Sequence, residues 1–292
     1  MGHEAAGTIS SVGSSVITLK KGDRVALEPQ IPCRRCPRCK DGNYNLCPSI
    51  RFAASPPDAH GTLVKYFKLP EDFCYKLPEH VTLEEGVLAE PTAVAVHMAR
   101  LANLAVGDRV VVTGSGTVGL LCAAVARAMG AGRVVVCDVD ERKNDFAASF
   151  LEGVGTFKSG GEGGPEGDAE KIVETFGLEG GADVLLEASG AQPAIATGLH
   201  VLRKGGRFVQ GGMGKAVIQF PIGVVGEKEL VVKGCFRYSA GDFKIATELI
   251  FEGKVPVKKL VSKMFDFEKA PDAWEETRGG KGIKNLIRGV KD

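Results

Sequence analysis

The sequence has neither a long hydrophobic run nor an excess of charge of one sign. No stretch of about 18 apolar residues occurs in its 292 residues, so no membrane-spanning helix is predicted. The N-terminal segment Met1–Glu4 lacks the basic and then apolar stretches of a secretory signal, which favours a reducing, cytoplasmic location. Lysine and arginine number 37 against 36 aspartate and glutamate. A net charge of +1 gives no argument for a nucleic-acid partner, so function has to be inferred from local motifs.

Glycine and cysteine, by contrast, are abundant. The chain contains 39 glycines and eight cysteines, and four of the cysteines lie between residues 33 and 47. With 44% hydrophobic residues, a chain of this length is expected to form about two domains with at least one large core. We therefore expect the chemistry to lie at the glycine-rich and cysteine-rich segments.

The N-terminal part of the chain has the pattern of a small β-rich domain followed by a helix. Short β-branched runs at 7–13, 21–27 and 61–67 are interrupted by glycine or aspartate, which is typical of twisted antiparallel strands. A capping box formed by Thr82 and Glu85 predicts that a helix begins there and extends to about residue 101.

The pattern changes after Asp108, where apolar strands alternate with helical segments. This is the pattern of βαβ units, whose parallel strands are buried on both faces. The expected elements are strands at 109–113, 133–138, 182–187 and 206–210 and helices at 120–129 and 193–202. The glycine-rich stretch 153–168 is interpreted as a loose surface connection, because it has few large apolar residues and no phosphate-loop signature. A doubly wound α/β domain is predicted.

The cysteine-rich stretch shows no hydrophobic periodicity, so its order is expected to come from a metal. Four cysteines follow the spacing C-x2-C-x2-C-x7-C: Cys33, Cys36, Cys39 and Cys47. Four thiolates can enclose one tetrahedral zinc at Zn–S distances of ~2.3 Å, which leaves no open coordination position. A structural zinc is the favoured interpretation. The alternatives are four unliganded thiols, an iron–sulfur site, or a nucleic-acid-binding zinc ribbon suggested by the neighbouring basic residues.

A G-x-G-x-x-G motif follows the first of these strands and opens the next helix. At such a turn Gly114 permits a tight bend, Gly116 lets backbone N–H groups approach a pyrophosphate, and Gly119 lets the helix pack close to the strand. The positive end of the helix dipole then binds the anion. A dinucleotide site is predicted, with a turn that binds nothing as the alternative.

The acidic residue after the next strand bears on which dinucleotide binds. Asp138 would accept hydrogen bonds from the adenosine ribose and repel a 2′-phosphate, and Asp140 and Glu141 reinforce that preference. Arg142 and Lys143 act in the opposite direction. NAD is favoured over NADP.

The motifs together resemble a known family. In order they are Gly2-His3-Glu4, Gly22-Asp23-Arg24-Val25, the four cysteines, Glu90-Pro91, the glycine motif with Asp138, and Gly234-Cys235-Phe236-Arg237-Tyr238. This order resembles the zinc-dependent medium-chain dehydrogenases, and within them the polyol branch, the sorbitol and xylitol dehydrogenases. The resemblance implies a Rossmann doubly wound parallel sheet plus a β-rich GroES-like catalytic domain with a structural zinc lobe. It implies a catalytic domain at 1–95 and 235–292 and an NAD-binding domain at 96–234.

The resemblance also implies roles for individual residues. His3 and Glu4 would be ligands of a catalytic zinc, and Glu90 would hold the zinc-bound water and the substrate hydroxyl. The polyol would be contacted by Phe52, Arg237 and Tyr238. The dinucleotide would be contacted, besides the glycine motif, by Val118, Asp138, Lys143, Gly211, Gly212, Met213, Cys235, Phe236 and Arg237.

Members of the family carry a further segment before the Gly-His-Glu motif, with a cysteine that is the first ligand of the catalytic zinc. No such segment precedes Gly2 here, so we expect a truncated gene model or an alternative start. Fewer protein ligands would weaken the catalytic zinc.

The expected function is oxidation of the C2 hydroxyl of xylitol to D-xylulose with NAD as the hydride acceptor and zinc as the Lewis acid. Sorbitol or L-arabinitol is the alternative polyol, and a simple alcohol or threonine dehydrogenase is the alternative enzyme. A catalytically impaired NAD-binding protein is the alternative of another class. The resemblance further implies a homo-oligomer, a tetramer.

Overall fold

A computed structural model describes residues 1–57 and 59–290 and divides the chain into two compact units. The first unit combines Met1–Ala93 with Arg237–Asp292, and the second unit is Val94–Phe236. None of the described helices is long and apolar enough to cross a membrane.

The elements of the described residues follow in chain order. The strands are β1 (Ala5–Thr8), β2 (Arg24–Leu27), β3 (Gln30–Ile31), β4 (Arg51–Phe52), β5 (Cys74–Lys76), β6 (Arg109–Thr113), β7 (Arg133–Asp138), β8 (Gly155–Lys158), β9 (Ala182–Glu187), β10 (Leu202–Gln210), β11 (Val231–Gly234), β12 (Val261–Phe265) and β13 (Lys284–Ile287). The helices are α1 (Pro37–Lys40), α2 (Leu83–Val87), α3 (Ala89–Leu101), α4 (Thr117–Ala128), α5 (Glu141–Phe150), α6 (Gly164–Thr175), α7 (Gln192–Val201), α8 (Ile222–Glu227), α9 (Asp242–Phe251) and α10 (Ala270–Arg278).

The first unit is built on small sheets. Strands β1, β2 and β5 form an antiparallel sheet, in which Val25 and Ala26 of the central strand β2 are both buried. The pair β3–β4 is antiparallel, whereas β12 and β13 pair in parallel. Two backbone hydrogen bonds, from Thr62 N to the Gly2 carbonyl and from Leu63 N to the Met1 carbonyl, hold the segment before β1. The site residues His3 and Glu4 therefore lie on a tethered segment.

The expected strand at 61–67 is wrong. The described residues 61–67 form bends and irregular backbone, because only two of their N–H groups meet the N-terminal segment and no continuous ladder forms. β-Branched composition alone does not make a strand when the chain offers no partner of matching length.

The capping box at the start of α2 is confirmed. The Glu85 N–H donates to Thr82 Oγ1 at 3.2 Å, and the Thr82 N–H donates to Glu85 Oε2 at 2.8 Å. The expected single helix is divided at Leu88, because Pro91 has no N–H to bond the carbonyl four residues earlier. This division places Glu90 in the first turn of α3.

The second unit contains a parallel sheet. Over its residues, all of which are described, the strand order is β11-β10-β9-β6-β7-β8. The order reverses between β6 and β9, which is the topological switch point where dinucleotides bind in such sheets. Helices α6 and α7 pack against each other, and the core includes Val111, Val135, Leu185 and Phe208. The predicted doubly wound α/β domain is confirmed.

The interpretation of 153–168 as a loose connection is wrong. The stretch contains β8, which pairs with β7 at the edge of the sheet, and the start of α6. An edge strand needs few apolar residues, and Phe157 alone packs against the core. A Cβ on Gly155 would lie 2.6 Å from the Phe176 ring, so glycine is required there by close packing.

Candidate catalytic centre and dinucleotide edge

The four-cysteine lobe has the dimensions of a metal site. The Sγ atoms of Cys33, Cys36, Cys39 and Cys47 all lie within 4.8 Å of one another. The Cys36 and Cys39 sulfurs are 3.5 Å apart, and the Cys33 and Cys39 sulfurs are 3.9 Å apart. A tetrahedral zinc with bonds of ~2.3 Å places its sulfurs ~3.8 Å apart. The lobe therefore fits one zinc ion.

Backbone N–H groups favour the thiolate form within this lobe. The N–H groups of Arg35 and Cys36 lower the pKa of Cys33 to about 6. Burial and the neighbouring thiols raise the pKa of Cys39 to about 12. Without a cation the four sulfurs cannot all ionise so close together, which is what a bound zinc would resolve.

A second cluster forms in the first unit from residues far apart in the sequence. One ligand atom from each of His3, Glu4 and Glu90 lies within 4.8 Å of the others. His3 and Glu4 come from the tethered segment before β1, whereas Glu90 comes from α3. A histidine nitrogen and carboxylate oxygens suit zinc, and among the described residues no cysteine joins this cluster.

Burial shifts the pKa values of two residues in this cluster. Glu90 is 5% exposed, and burial raises its pKa to about 8, with the nearby Glu4 charge acting in the same direction. Burial lowers the pKa of His3, and the Glu4 charge partly offsets that effect. A divalent cation would stabilise the ionised carboxylates and the neutral imidazole together.

The three residues expected at the substrate lie beside this cluster. The Phe52 and His3 rings contact each other at an interplanar angle of 50°, with centroids 5.3 Å apart, and the Arg237 guanidinium lies 3.7 Å from the centroid of the Phe52 ring. The Tyr238 side chain is fully buried. Its hydroxyl faces the Glu90 carboxyl, and burial together with the Glu90 charge raises the Tyr238 pKa well above its usual value.

The glycine motif forms the tight turn between β6 and α4. Gly114 has φ +94°, a conformation that favours glycine, and its N–H donates to the Cys137 carbonyl at 2.7 Å. A Cβ on Gly119 would collide with the Gly114 carbonyl oxygen. Gly116 precedes α4 in extended conformation, and Val118 is the second residue of that helix.

Asp138 ends β7 beside this turn. Its carboxylate accepts hydrogen bonds from Ser115 N at 2.9 Å and from Asp140 N at 3.0 Å. Lys143 lies in α5, and its neighbour Arg142 pairs with Asp140 at 2.9 Å. In the described arrangement Arg142 is thus held by Asp140.

The remaining residues expected at the dinucleotide lie after strands on the other side of the switch point. Gly211, Gly212 and Met213 follow β10, and the Met213 side chain is 95% exposed. Cys235 and Phe236 follow β11 and close the second unit, whereas Arg237 opens the second part of the first unit. The Cys235 N–H donates to the Gln210 carbonyl at 2.7 Å.

Sequence reasoning missed three residues at these places. Lys284 of β13 forms an ion pair with Glu4, and no motif identifies it. Asn144 Nδ2 bonds the carbonyls of Asp138 and Phe157, each at 3.0 Å. Glu187 is the last residue of β9, as Asp138 is of β7. An acidic residue at the end of an apolar strand was therefore the sequence signal that could have identified Glu187.

Comparisons with known proteins agree with this geometry. Residues 1–79 match the family "Alcohol dehydrogenase GroES-like domain", and residues 117–252 match "Zinc-binding dehydrogenase". D-xylulose reductase A of Aspergillus niger is 53% identical over 290 residues, which cover 99% of this chain and 80% of that protein.

Solved structures give the same fold. An oxidoreductase of unknown specificity from Escherichia coli has a TM-score of 0.91 and 31% identity, covering 99% of this chain and 82% of that one. A structure from Sinorhizobium meliloti bound to NADP has a TM-score of 0.82 and 27% identity, covering 93% and 78% of the two chains. The expected GroES-like and Rossmann architecture is confirmed, and the chain belongs to the zinc-binding dehydrogenases.

Proposed function

We propose that this chain is a zinc-dependent polyol dehydrogenase that oxidises xylitol at C2 to D-xylulose and reduces NAD. The observation that carries the proposal is the convergence of His3, Glu4 and Glu90 in one cluster beside Arg237 and Tyr238. The whole-length similarity to D-xylulose reductase A of Aspergillus niger supports the choice of substrate.

Two groups of residues would hold zinc. Cys33, Cys36, Cys39 and Cys47 would enclose a structural ion, and His3 and Glu4 would bind a catalytic one. When bound, zinc polarises a secondary hydroxyl as a Lewis acid, and the nicotinamide ring accepts the hydride. A zinc enclosed by four sulfurs would stabilise the fold. A zinc bound by a histidine nitrogen and a carboxylate would keep coordination positions open for water or substrate.

The chain's own residues would orient the polyol. The Glu90 carboxyl can accept a hydrogen bond from the reacting hydroxyl or from water. The buried Tyr238 hydroxyl faces Glu90, so it can donate to that carboxyl or to a substrate hydroxyl held beside it. Arg237 lies over Phe52, where its guanidinium is held for contact with the polyol chain.

The dinucleotide would bind at the carboxyl edge of the parallel sheet. The α4 N-terminus with Gly114, Gly116, Val118 and Gly119 would receive the pyrophosphate, and Asp138 and Lys143 would face the adenosine. The other half of the dinucleotide would meet the segments after β10 and β11. NAD, and not NADP, is part of the proposal, because Asp138 would repel a 2′-phosphate.

Other parts of the proposal rest on the resemblance to the family or, for the location, on the N-terminal sequence. They are the domain boundaries 1–95, 96–234 and 235–292, a tetrameric assembly and a cytoplasmic location. Gel filtration with light scattering of the purified chain measures the assembly directly.

A substrate panel tests the proposed activity. The zinc-loaded chain is assayed for NADH formation with xylitol, sorbitol, L-arabinitol, ethanol and threonine. We expect kcat/KM to be highest for xylitol, and at least about tenfold higher than for ethanol, because a polyol offers additional hydroxyls that Arg237 and Tyr238 can bind and a simple alcohol does not. Equal values for xylitol and ethanol would contradict the assignment.

A further inference from the structure

The second unit has a buried carboxylate at its topological switch point that the proposed function does not use. Glu187 is the last residue of β9, and it is fully buried. Its neighbour across the switch point is Thr113, the last residue of β6, with which it is in register. No lysine or arginine contacts the Glu187 carboxylate among the hydrogen bonds and ion pairs of the described residues.

The groups around this carboxylate are hydrogen-bond donors. Oε1 accepts hydrogen bonds from Ser189 N and Gly190 N, each at 2.9 Å, and from the Ser189 hydroxyl. Oε2 accepts from Gln210 Nε2 at 2.6 Å and from Gly190 N at 3.0 Å. Because every one of these partners donates, the arrangement suits an ionised carboxylate and not an amide.

These bonds join two loops on the carboxyl edge. Residues 189–190 follow β9, and residues 211–213 follow β10. The Glu187 carbonyl accepts from Gly211 N at 2.9 Å and Gly212 N at 2.8 Å, so one residue holds both loops through its side chain and its backbone. Gln210 Nε2 also donates to the Gly212 carbonyl at 2.8 Å.

The two loops approach so closely that only glycine fits. A Cβ on Gly212 would lie 2.5 Å from Glu187 Oε2 and 2.6 Å from Ser189 N. A Cβ on Gly190 would collide with the backbone of Met213 and Gly214. The carboxylate therefore lies at the point where the two loops approach each other most closely through Gly190 and Gly212.

The position of the loops indicates which half of a dinucleotide they serve. A doubly wound sheet consists of two mononucleotide-binding halves that meet at the switch point. Asp138 belongs to the half formed by β6, β7 and β8, which takes the adenosine. The loops after β9 and β10 belong to the other half, and they are assigned to the nicotinamide ring.

We propose that Glu187 is a positioning residue that holds the loops 189–190 and 211–213 in the geometry that receives the nicotinamide half of the dinucleotide. The proposal rests on the proposed function, because it takes dinucleotide binding as given. Glu187 acts through the loops and makes no contact with the cofactor itself. Its contribution is preorganisation, which reduces the cost of ordering the loops when the ligand binds.

The test compares two ligands that differ only in the nicotinamide. Binding of NADH and of ADP-ribose to the full chain is measured by isothermal titration calorimetry for the unmodified chain and for Glu187→Gln. The amide turns an accepting oxygen into a donor that faces N–H groups, so the loops lose their common anchor. We expect NADH to bind at least about tenfold more weakly and ADP-ribose to bind within about twofold of its original affinity.

A matched variant controls for the loss of a buried carboxylate. Asp168 lies on α6 of the same unit, is 3% exposed, and accepts hydrogen bonds from Gly160 N at 2.7 Å and Gly161 N at 3.3 Å of the preceding loop, to which we assign no nicotinamide contact. Asp168→Asn is expected to preserve the ratio of the NADH and ADP-ribose affinities. A second variant, Ser189→Ala, removes one hydrogen-bond donor to Glu187 with little risk to folding. It should weaken the binding of NADH about threefold.

The outcomes separate the two proposals. Unchanged NADH binding in both Glu187→Gln and Ser189→Ala, or an equal loss of NADH and ADP-ribose affinity, would overturn the positioning role of Glu187. If Glu187→Gln does not fold, the Ser189→Ala result decides. Failure of the unmodified chain to bind either ligand would overturn the proposed function itself.

Discussion

At the residue scale, the Glu4 carboxylate has two competing partners, a lysine and a metal site. The carboxylate pairs with Lys284, whose side chain is 18% exposed, and it also belongs to the cluster with His3 and Glu90. A zinc ion bound by Glu4 must share the carboxylate with the Lys284 ammonium or displace it. The ion pair therefore opposes zinc binding.

Removing that competition should strengthen zinc binding. In Lys284→Met the Glu4 carboxylate loses its cationic partner, so the catalytic site should bind zinc about three- to tenfold more tightly. Competition with a chromophoric chelator measures the affinity. Lys76→Met is the matched control, because Lys76 pairs with Asp23 and has no contact with the cluster, and it should leave zinc affinity unchanged. Weaker zinc binding by Lys284→Met would show that the lysine holds Glu4 in place for the metal.

Asp138 governs the second prediction at this scale. Asp138→Ala removes the carboxylate that would repel a 2′-phosphate, so the ratio of the NAD and NADP affinities should fall about tenfold. Calorimetric titration with both dinucleotides measures that ratio. Asp145→Ala, a change in the same helix as Lys143, provides a control. An unchanged ratio in Asp138→Ala would exclude Asp138 from cofactor choice.

The sequence identified residues whose spacing carries a mechanism and missed those that act only through the fold. The glycine motif, the four cysteines and Asp138 at the end of β7 could each be recognised from a short stretch of sequence. Lys284 could not be, because it meets Glu4 only when β13 folds against the N-terminal segment. Glu187 carried the same signal as Asp138, yet its bonds depend on two loops that the sequence does not bring together.

At the scale of elements, Asp183 links three neighbouring strands of the parallel sheet. It lies on β9 and accepts hydrogen bonds from Arg109 of β6 at 2.9 Å and from Arg203 of β10 at 2.5 Å. Burial by itself would raise the pKa of Asp183, but the two guanidinium groups outweigh it and hold the pKa well below its usual value. The ionised form therefore stabilises the fold.

This linkage predicts how stability depends on pH. Because the folded-state pKa lies below the unfolded value of ~3.9, the contribution of Asp183 is complete above that pH and is lost as the pH falls toward the folded-state pKa. Asp183→Asn should lower the free energy of unfolding by about 1 to 2 kcal/mol at pH 7 and by less at pH 3. Urea unfolding at both pH values measures the difference. As a control, Glu141→Gln, which breaks an exposed pair with Lys158, should leave the free energy of unfolding unchanged. An equal loss of unfolding free energy for Asp183→Asn at both pH values would contradict this role of Asp183.

Elements with strong internal patterns were predictable, and elements defined by their partners were not. Strands β6 and β7 follow from their apolar runs, and α2 follows from its capping box. The expected strand at 61–67 fails because no full-length partner lies beside it. Strand β8 was overlooked because an edge strand covered by Phe176 needs little apolar sequence of its own.

At the scale of the whole molecule, the order of motifs along the chain was more informative than any one motif. The GroES-like match covers residues 1–79, the zinc-binding dehydrogenase match covers residues 117–252, and the similarity to D-xylulose reductase A extends over 99% of the chain. The chain spans 80% of that relative's length. The family follows from the order of the motifs, whereas we expect the choice of polyol to depend on side-chain contacts such as those proposed for Arg237 and Tyr238.

The central claim is that a second zinc, held by His3 and Glu4, makes this chain a polyol dehydrogenase. The most direct test is a zinc titration of the metal-free chain during which xylitol-dependent NADH formation is followed. Because four thiolates bind zinc more tightly than a histidine and a carboxylate, the first equivalent should fill the cysteine lobe without activity. Activity should then rise with the second equivalent. Activity that is complete after one equivalent, or no NADH formation after two have bound, would contradict the claim.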